Sequence, residues 1–86
     1  PFAEAENQFV LRMKVENRPG VLASIAGGLG AHQVSISRVV QKIITDGAAE
    51  LVIVTDAVKE MAFGNALEDL KELEITREIG NVIREY

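Results

Sequence analysis

The chain has 86 residues, with 13 acidic against 9 basic for a net charge of −4, one histidine and no cysteine. That rules out a disulfide framework and a thiolate metal site, and it is compatible with a reducing, cytoplasmic setting. An acidic balance repels phosphate backbones unless the positive groups form one patch, and Arg12, Lys14, Arg18, Arg38 and Lys42 are instead interleaved with Glu16 and polar residues, so nucleic acid is disfavoured as a partner.

No apolar run approaches the ~20 residues that span a bilayer, and no charged stretch followed by an apolar one marks a signal peptide, so a soluble chain with no membrane partner is expected. Pro1 in place of Met points to a processed chain or a piece cut from a longer one. At this length the core is limited, and an oligomer is expected.

Residues 1–8 read as the remnant of a linker, short, polar and acidic, with Phe2 available to dock on something; the domain proper is expected over 9–86. From Gln8 to Glu16 the apolar residues Phe9, Leu11, Met13 and Val15 alternate with Arg12, Lys14 and Glu16, which predicts a strand with one wet side. From Gly20 to about His32 the apolar spacing changes to that of a helix, with Leu22, Ile25, Ala26 and Leu29 as its stripe. Gly27, Gly28 and Gly30 lie inside that helix; they do not have the spacing or the position of a dinucleotide fingerprint, and the reading is that they let the helix lie close to a strand or a second subunit, or that Gly30 ends it.

Residues 33–44 are rich in β-branched side chains, but the alternation through Val34 and Ile36 breaks before Val39, which predicts a bulge or a twist there. Thr45-Asp46-Gly47 reads as a hairpin turn into a central strand, Ala49 to Asp56, whose Val52 and Val54 lie on the face opposite Leu51 and Ile53. A second helix is predicted from about Val58 to Leu73, with Phe63, Ala66, Leu67, Leu70 and Leu73 inward and its charged residues in solvent. A last strand closes the chain over 75–86. The order βαββαβ predicts an α+β, ferredoxin-like domain, a four-stranded antiparallel sheet with two helices on one face.

The change of period falls on Glu16-Asn17-Arg18-Pro19-Gly20-Val21-Leu22. A strand that turns directly into a helix leaves the first N–H groups of that helix without intrahelical partners. Asn17, Arg18 and Pro19 compete for the N-cap, and Pro19 is expected at an early helical position, where its missing N–H costs nothing. One reading is an ordinary turn, since Asn, Pro and Gly are turn residues. The other is an anion seat in which the free N–H groups and the helix dipole receive the carboxylate of a small ligand, while the Asn17 amide meets an ammonium or hydroxyl of the same molecule.

Residues 9–86 resemble the ACT domain, a small ligand-binding module attached to enzymes of amino-acid metabolism. The resemblance rests on Asn17-Arg18-Pro19-Gly20-Val21-Leu22 and on Val34-Ser35-Ile36 with Gln41. Within that family, Ala49-Glu50-Leu51-Val52-Ile53-Val54-Thr55, Ala66-Leu67-Glu68-Asp69-Leu70 and Asn81-Val82-Ile83-Arg84 are most like the C-terminal regulatory domain of homoserine dehydrogenases. The resemblance implies a non-catalytic feedback sensor whose parent enzyme interconverts aspartate semialdehyde and homoserine with NAD(P) bound upstream of Pro1, and no cofactor in the present chain. It implies an amino-acid ligand, L-threonine above others, on a wall formed by Asn17, Arg18, Pro19, Gly20, Val21 and Leu22, with Ser35 and Ile36 from the facing strand. It also implies homodimers made through sheet edges or faces, and a catalytic domain as the partner within the parent chain.

Two departures bear on the ligand. Serine-binding relatives carry an amide on both the first loop and the second strand, where this chain has Asn17 and Ser35; and many members carry Asp at the position of Asn17. A ligand-free structural dimerisation module, or the ACT domain of another enzyme of amino-acid metabolism, is the competing reading. A free-standing enzyme is disfavoured: His32 is near a helix end with no second base or metal ligand spaced to work with it, and Glu50, Asp56 and Glu60 form no acid–base pair.

Overall fold

The computed structural model describes residues 5–85. Its elements are β1 (Glu6–Glu16), α1 (Val21–Gly30), β2 (Ile36–Thr45), β3 (Ala48–Thr55), β4 (Val58–Lys59), α2 (Glu60–Glu72) and β5 (Thr76–Glu85). β1 is central, antiparallel to β3 on one side and to β5 on the other, and β2 pairs with β3, which gives the order β2-β3-β1-β5. This is the expected ferredoxin-like arrangement. β1 begins at Glu6, so Glu6, Asn7 and Gln8, read from the sequence as linker, are paired in the sheet; Phe2 lies outside the described residues.

The period-2 pattern of β1 places Phe9, Leu11, Met13 and Val15 in the core, where they meet Leu51 and Ile53 of β3 and the inner faces of both helices. The opposite face carries half-buried Val10, Val52 and Val54 and an ion pair between Arg12 and Glu50 at 2.9 Å. The bulge expected in β2 is present, as a register shift between Ile36 and Arg38.

The two-residue β4 was not foreseen; the sequence reading starts α2 at Val58, and the helix starts at Glu60. Val10 faces Val54 while Asn7 faces Val58, three steps on β1 against four on the other side, so β4 resumes the path of β3 along β1 after one extra residue. At the interruption the backbone N–H of Phe9 donates instead to Oγ1 of fully buried Thr55 at 3.1 Å, as a buried donor requires. The Phe9 ring stacks on Phe63 of α2 with centroids 4.1 Å apart.

The stripe of α1 is Val21, Ile25 and Leu29. Leu22, expected inside, is 44% exposed, and Ala26 is exposed as well. Of the three glycines only Gly28 is needed for close approach, and its neighbour is α2 rather than a strand: a Cβ there would stand 3.1 Å from Cδ2 of Leu70, whereas nothing lies within 4 Å of one at Gly27 or Gly30. α1 closes with the N–H of Val34 on Leu29 O and that of Gln33 on Gly30 O, both at 3.0 Å. Gln33 occupies the left-handed conformation, φ 63°, that glycine ordinarily takes in such a closure. His32, near the end of α1, reaches across to α2, where its Nε2 lies 2.6 Å from Oδ2 of Asp69.

The packing yields two expectations. Gly27→Ala should raise the unfolding free energy by roughly 0.5–1 kcal/mol, the helix-interior difference between the two residues, while Gly28→Ala falls short of it because the methyl must displace Leu70; urea denaturation of both variants checks this, and equal gains would contradict it. A double-mutant cycle of His32→Ala and Asp69→Ala should show a coupling of about 0.5 kcal/mol, at the low end for a side-chain hydrogen bond, and zero coupling would show that the contact adds nothing.

Candidate functional site

The strand-to-helix turn is held in place from both sides. The N–H of Glu16 donates to Ile75 O at 2.9 Å, and that of Asn17 donates to Gly47 O in the β2–β3 hairpin at 3.1 Å. The chain then reverses through Arg18-Pro19-Gly20-Val21, closed by the N–H of Val21 on Arg18 O at 3.4 Å. Gly20 has φ 86° and ψ −7°, the third-residue geometry of a type II turn, with proline at the position where its fixed φ is wanted. Nothing lies within 4 Å of a Cβ built on Gly20. Backbone conformation, rather than lack of room, is what requires glycine there.

Gly20 is also the N-cap of α1, so Pro19 precedes the helix instead of opening it, and none of Asn17, Arg18 or Pro19 caps it. No side chain accepts from the first turn, which contains no acidic residue. The first helical bond is from Ser24 N–H to Gly20 O at 3.0 Å. Among the described residues the N–H groups of Leu22 and Ala23 have no acceptor, and they sit at the positive end of the helix dipole.

Leu22 borders a cavity of about 220 Å³ whose wall is Glu16, Asn17, Arg18, Pro19, Gly20, Val21 and Leu22, with Val15, Gln41 and Leu51 from the sheet; Ala23 is the next residue of the helix. Arg18 Nε lies 3.4 Å from Oε1 of Glu16, the first side chain exposed and the second half-buried. The Asn17 carboxamide is held loosely, its Oδ1 accepting from Gln41 Nε2 at 3.5 Å, the outer limit of a hydrogen bond. An amide so placed can turn to meet a ligand and can both donate and accept. The cavity therefore joins main-chain donors for an anion, a side-chain amide and an apolar floor of Val15, Val21 and Leu51.

Of the site residues read from the sequence, the structure brings Asn17, Arg18, Pro19, Gly20, Val21 and Leu22 together on this wall. Ser35 and Ile36 are not there: they stand at the far end of the hairpin, where Ile36 faces Thr55 and Ser35 O accepts from Asp56 N–H, roughly 17–20 Å along the chain from Gln41 at ~3.4 Å per residue. Gln41 was noted in the sequence but not as a site residue; its place on the same face as Val39 and Ile43, folded over Leu51 by the hairpin, is the signal that would have found it.

A larger cavity, about 380 Å³, lies at the other end of the domain among Glu6, His32, Gln33, Ala57, Val58, Lys59 and Ala62, and no motif residue borders it. Among the described residues no group of three or more His, Asp or Glu side chains could hold a metal ion, and no helix is long and apolar enough to cross a membrane.

Residues 9–75 match the model of the ACT domain family. Over 84 residues the chain is 39% identical to a homoserine dehydrogenase of Synechocystis sp., a match that takes in 98% of this chain and 19% of that protein. A homoserine dehydrogenase of Pseudomonas aeruginosa is 32% identical over 76 residues, 86% of this chain and 18% of that one. The chain thus spans about a fifth of the length of these relatives.

Among solved structures, the homoserine dehydrogenase of Thiobacillus denitrificans superposes with a TM-score of 0.81 at 27% identity, over 99% of this chain and 18% of that one. The ACT domain of the GTP pyrophosphokinase of Chlorobium tepidum shares the fold, with a TM-score of 0.65 at 15% identity over 92% of this chain and 97% of that one. A family model that matches most of the chain, together with the turn at Asn17 to Leu22 and the ferredoxin-like sheet, places this protein in the ACT domain family.

Proposed function

We propose that this chain is the amino-acid-sensing module of a homoserine dehydrogenase, that L-threonine is its ligand, and that it acts as a dimer joined through its sheets. The parent enzyme would interconvert aspartate semialdehyde and homoserine with NAD(P) held in other parts of the protein. The observation that carries the sensing role is the unaccepted N–H of Leu22, with that of Ala23 next to it in the helix, on a cavity wall shared with the loosely held Asn17 amide. The ligand carboxylate takes those donors, where the helix dipole favours negative charge. Its hydroxyl or ammonium takes Asn17, and its methyl group rests on Val15 and Leu51. The likeness to homoserine dehydrogenases over nearly the whole chain supports the choice of parent.

A second reading, a dimerisation module with no ligand, is favoured by one observation, the exposure of every residue of β2. Calorimetry separates the two. Threonine should bind the 86-residue chain with measurable heat, and Asn17→Ala should remove that heat while leaving the far-UV circular dichroism unchanged. Gly20→Ala should also remove binding and cost about 1–2 kcal/mol of stability, since a Cβ is strained at that φ. Absence of heat with threonine and with a panel of other amino acids would leave the dimerisation reading standing alone.

A further inference from the structure

β1 enters the sheet without placing a side chain in the core until Phe9. Ala5, Glu6 and Gln8 are exposed and Asn7 is half-buried. What holds this entry is main chain: Glu6 and Asn7 face Lys59 and Val58 of β4, and Ala5 O accepts from the N–H of Glu60 at 3.1 Å. On the other side β5 supplies no partner among the described residues before Gln8, which faces Glu85.

The far half of this seam is anchored independently of the entry, since Val58 belongs to the core and Lys59 leads directly into α2. Glu60 is the first residue of that helix, whose N-cap makes no side-chain bond, so the Ala5 carbonyl takes the place of a cap. The cavity of about 380 Å³ bordered by Glu6, Val58, Lys59 and Ala62 leaves the seam incompletely packed. Its boundary is Phe9. The N–H of Phe9 is accepted by Thr55 Oγ1 and its ring lies on Phe63, and neither contact uses residues 5–7. Release of Ala5–Asn7 therefore orphans no donor in the core and gives up little apolar burial, the condition under which one segment opens while the rest stays folded.

We propose that Ala5–Asn7 is a releasable clasp, closed as a strand that caps α2 and open as a tether ~10 Å longer at ~3.4 Å per residue. Its release is the step by which this module and the rest of its parent act on each other; that role, though not the clasp, rests on the reading of the chain as the sensing module of a homoserine dehydrogenase. Two observations support the role. Residues 9–75 match the family model while the likeness to homoserine dehydrogenases takes in nearly the whole chain, so the clasp lies outside the residues matched to the family and inside those shared with this class of parent. β1 also joins the clasp to the turn cavity, with Glu6 and Glu16 as the two ends of one 11-residue strand in the middle of the sheet.

Hydrogen exchange of the 86-residue chain in sub-denaturing urea tests the clasp. Protection of the Glu60 N–H should be about tenfold or more below that of the Phe9 N–H and insensitive to urea, while that of Phe9 falls with urea as expected for global unfolding. Glu6 and Lys59 are directly opposed, a placement that sets Cα atoms ~4.5–5.5 Å apart, within disulfide range, and the chain has no cysteine of its own. Oxidation of the Glu6→Cys, Lys59→Cys variant should give Glu60 the urea dependence of Phe9, and reduction should reverse it. Equal protection and equal urea dependence at Glu60 and Phe9 in the native chain overturn the clasp, as does failure of the pair to crosslink. Fast, urea-insensitive exchange at Glu60 that persists in the crosslinked form also overturns it, because fraying of α2 is then the cause. In a full-length homoserine dehydrogenase carrying this module, the same crosslink should abolish the response of activity to threonine, with recovery on reduction and no effect of the oxidant on the native protein. A threonine response unchanged by the crosslink overturns the role alone. No threonine response in the native full-length protein overturns the sensing reading and with it the role, and leaves the clasp standing.

Discussion

The left-handed backbone at Gly20 is the constraint on which the site depends. Because a type II turn needs that conformation at its third residue, β1 can pass into α1 within four residues, and the N-cap falls on a residue with no side chain. Ser, Asp or Asn could offer a first-turn N–H an acceptor, but over Gly that is ordinarily worth only about a few tenths of a kcal/mol, less than the strain a Cβ would meet at this φ. The turn geometry therefore leaves the first helical donors with nothing from the fold placed on them, and that of Leu22 opens on a cavity instead of on bulk surface. Two ladder-like bonds, from Glu16 to Ile75 and from Asn17 to Gly47, fix the turn between β5's entry and the β2–β3 hairpin, so the donors are presented by a rigid frame.

Most of this frame was legible in the sequence because its cause is local. Alternation in β1, the glycine hairpin at Gly47 with φ 88° and the apolar stripe of α2 each follow from a short run of residues. The misreadings arise where a second element decides. The stripe of α1 is Val21, Ile25 and Leu29 instead of a set starting at Leu22, because the cap at Gly20 and the sheet beneath set the rotation of the helix, and both Val and Leu fit an apolar spacing. β4 is too short for any period to show, and it exists because β1 offers a free edge beyond Thr55. The His32–Asp69 contact joins residues far apart in sequence, each of which reads as solvent-facing on its own helix. Gln41 escaped notice as a site residue for the same reason, since only the hairpin places it over Leu51 beside Asn17.

β2 shows the limit of pattern reading most clearly. Its Ile and Val residues predict a strand correctly, but alternation reports which face a side chain takes, not whether anything lies on that face. In β3 the same residue types are buried by helices on one side and neighbouring strands on both edges. In β2 they are exposed throughout. A domain of this size has little apolar surface to spare, so a strand that leaves both faces and one edge in water is the least economical part of the fold as a monomer.

That imbalance and the open donors at α1 are the two unfinished parts of the molecule, and Gln41 belongs to both. It is on the exposed strand, and it borders the cavity. If β2 carried its apolar residues only for adhesion, a further β-branched residue at position 41 would serve better than an amide, since Gln gains little from burial and Ile or Val would extend the row of Val39 and Ile43. An amide is the better choice only where a donor and an acceptor are both used. Asn17 uses one donor at 3.5 Å, and among the described residues the second N–H and the carbonyl oxygen of Gln41 have no side-chain partner. One side chain thus joins the exposed strand to the wall of the cavity, and a change at either is felt at the other through it.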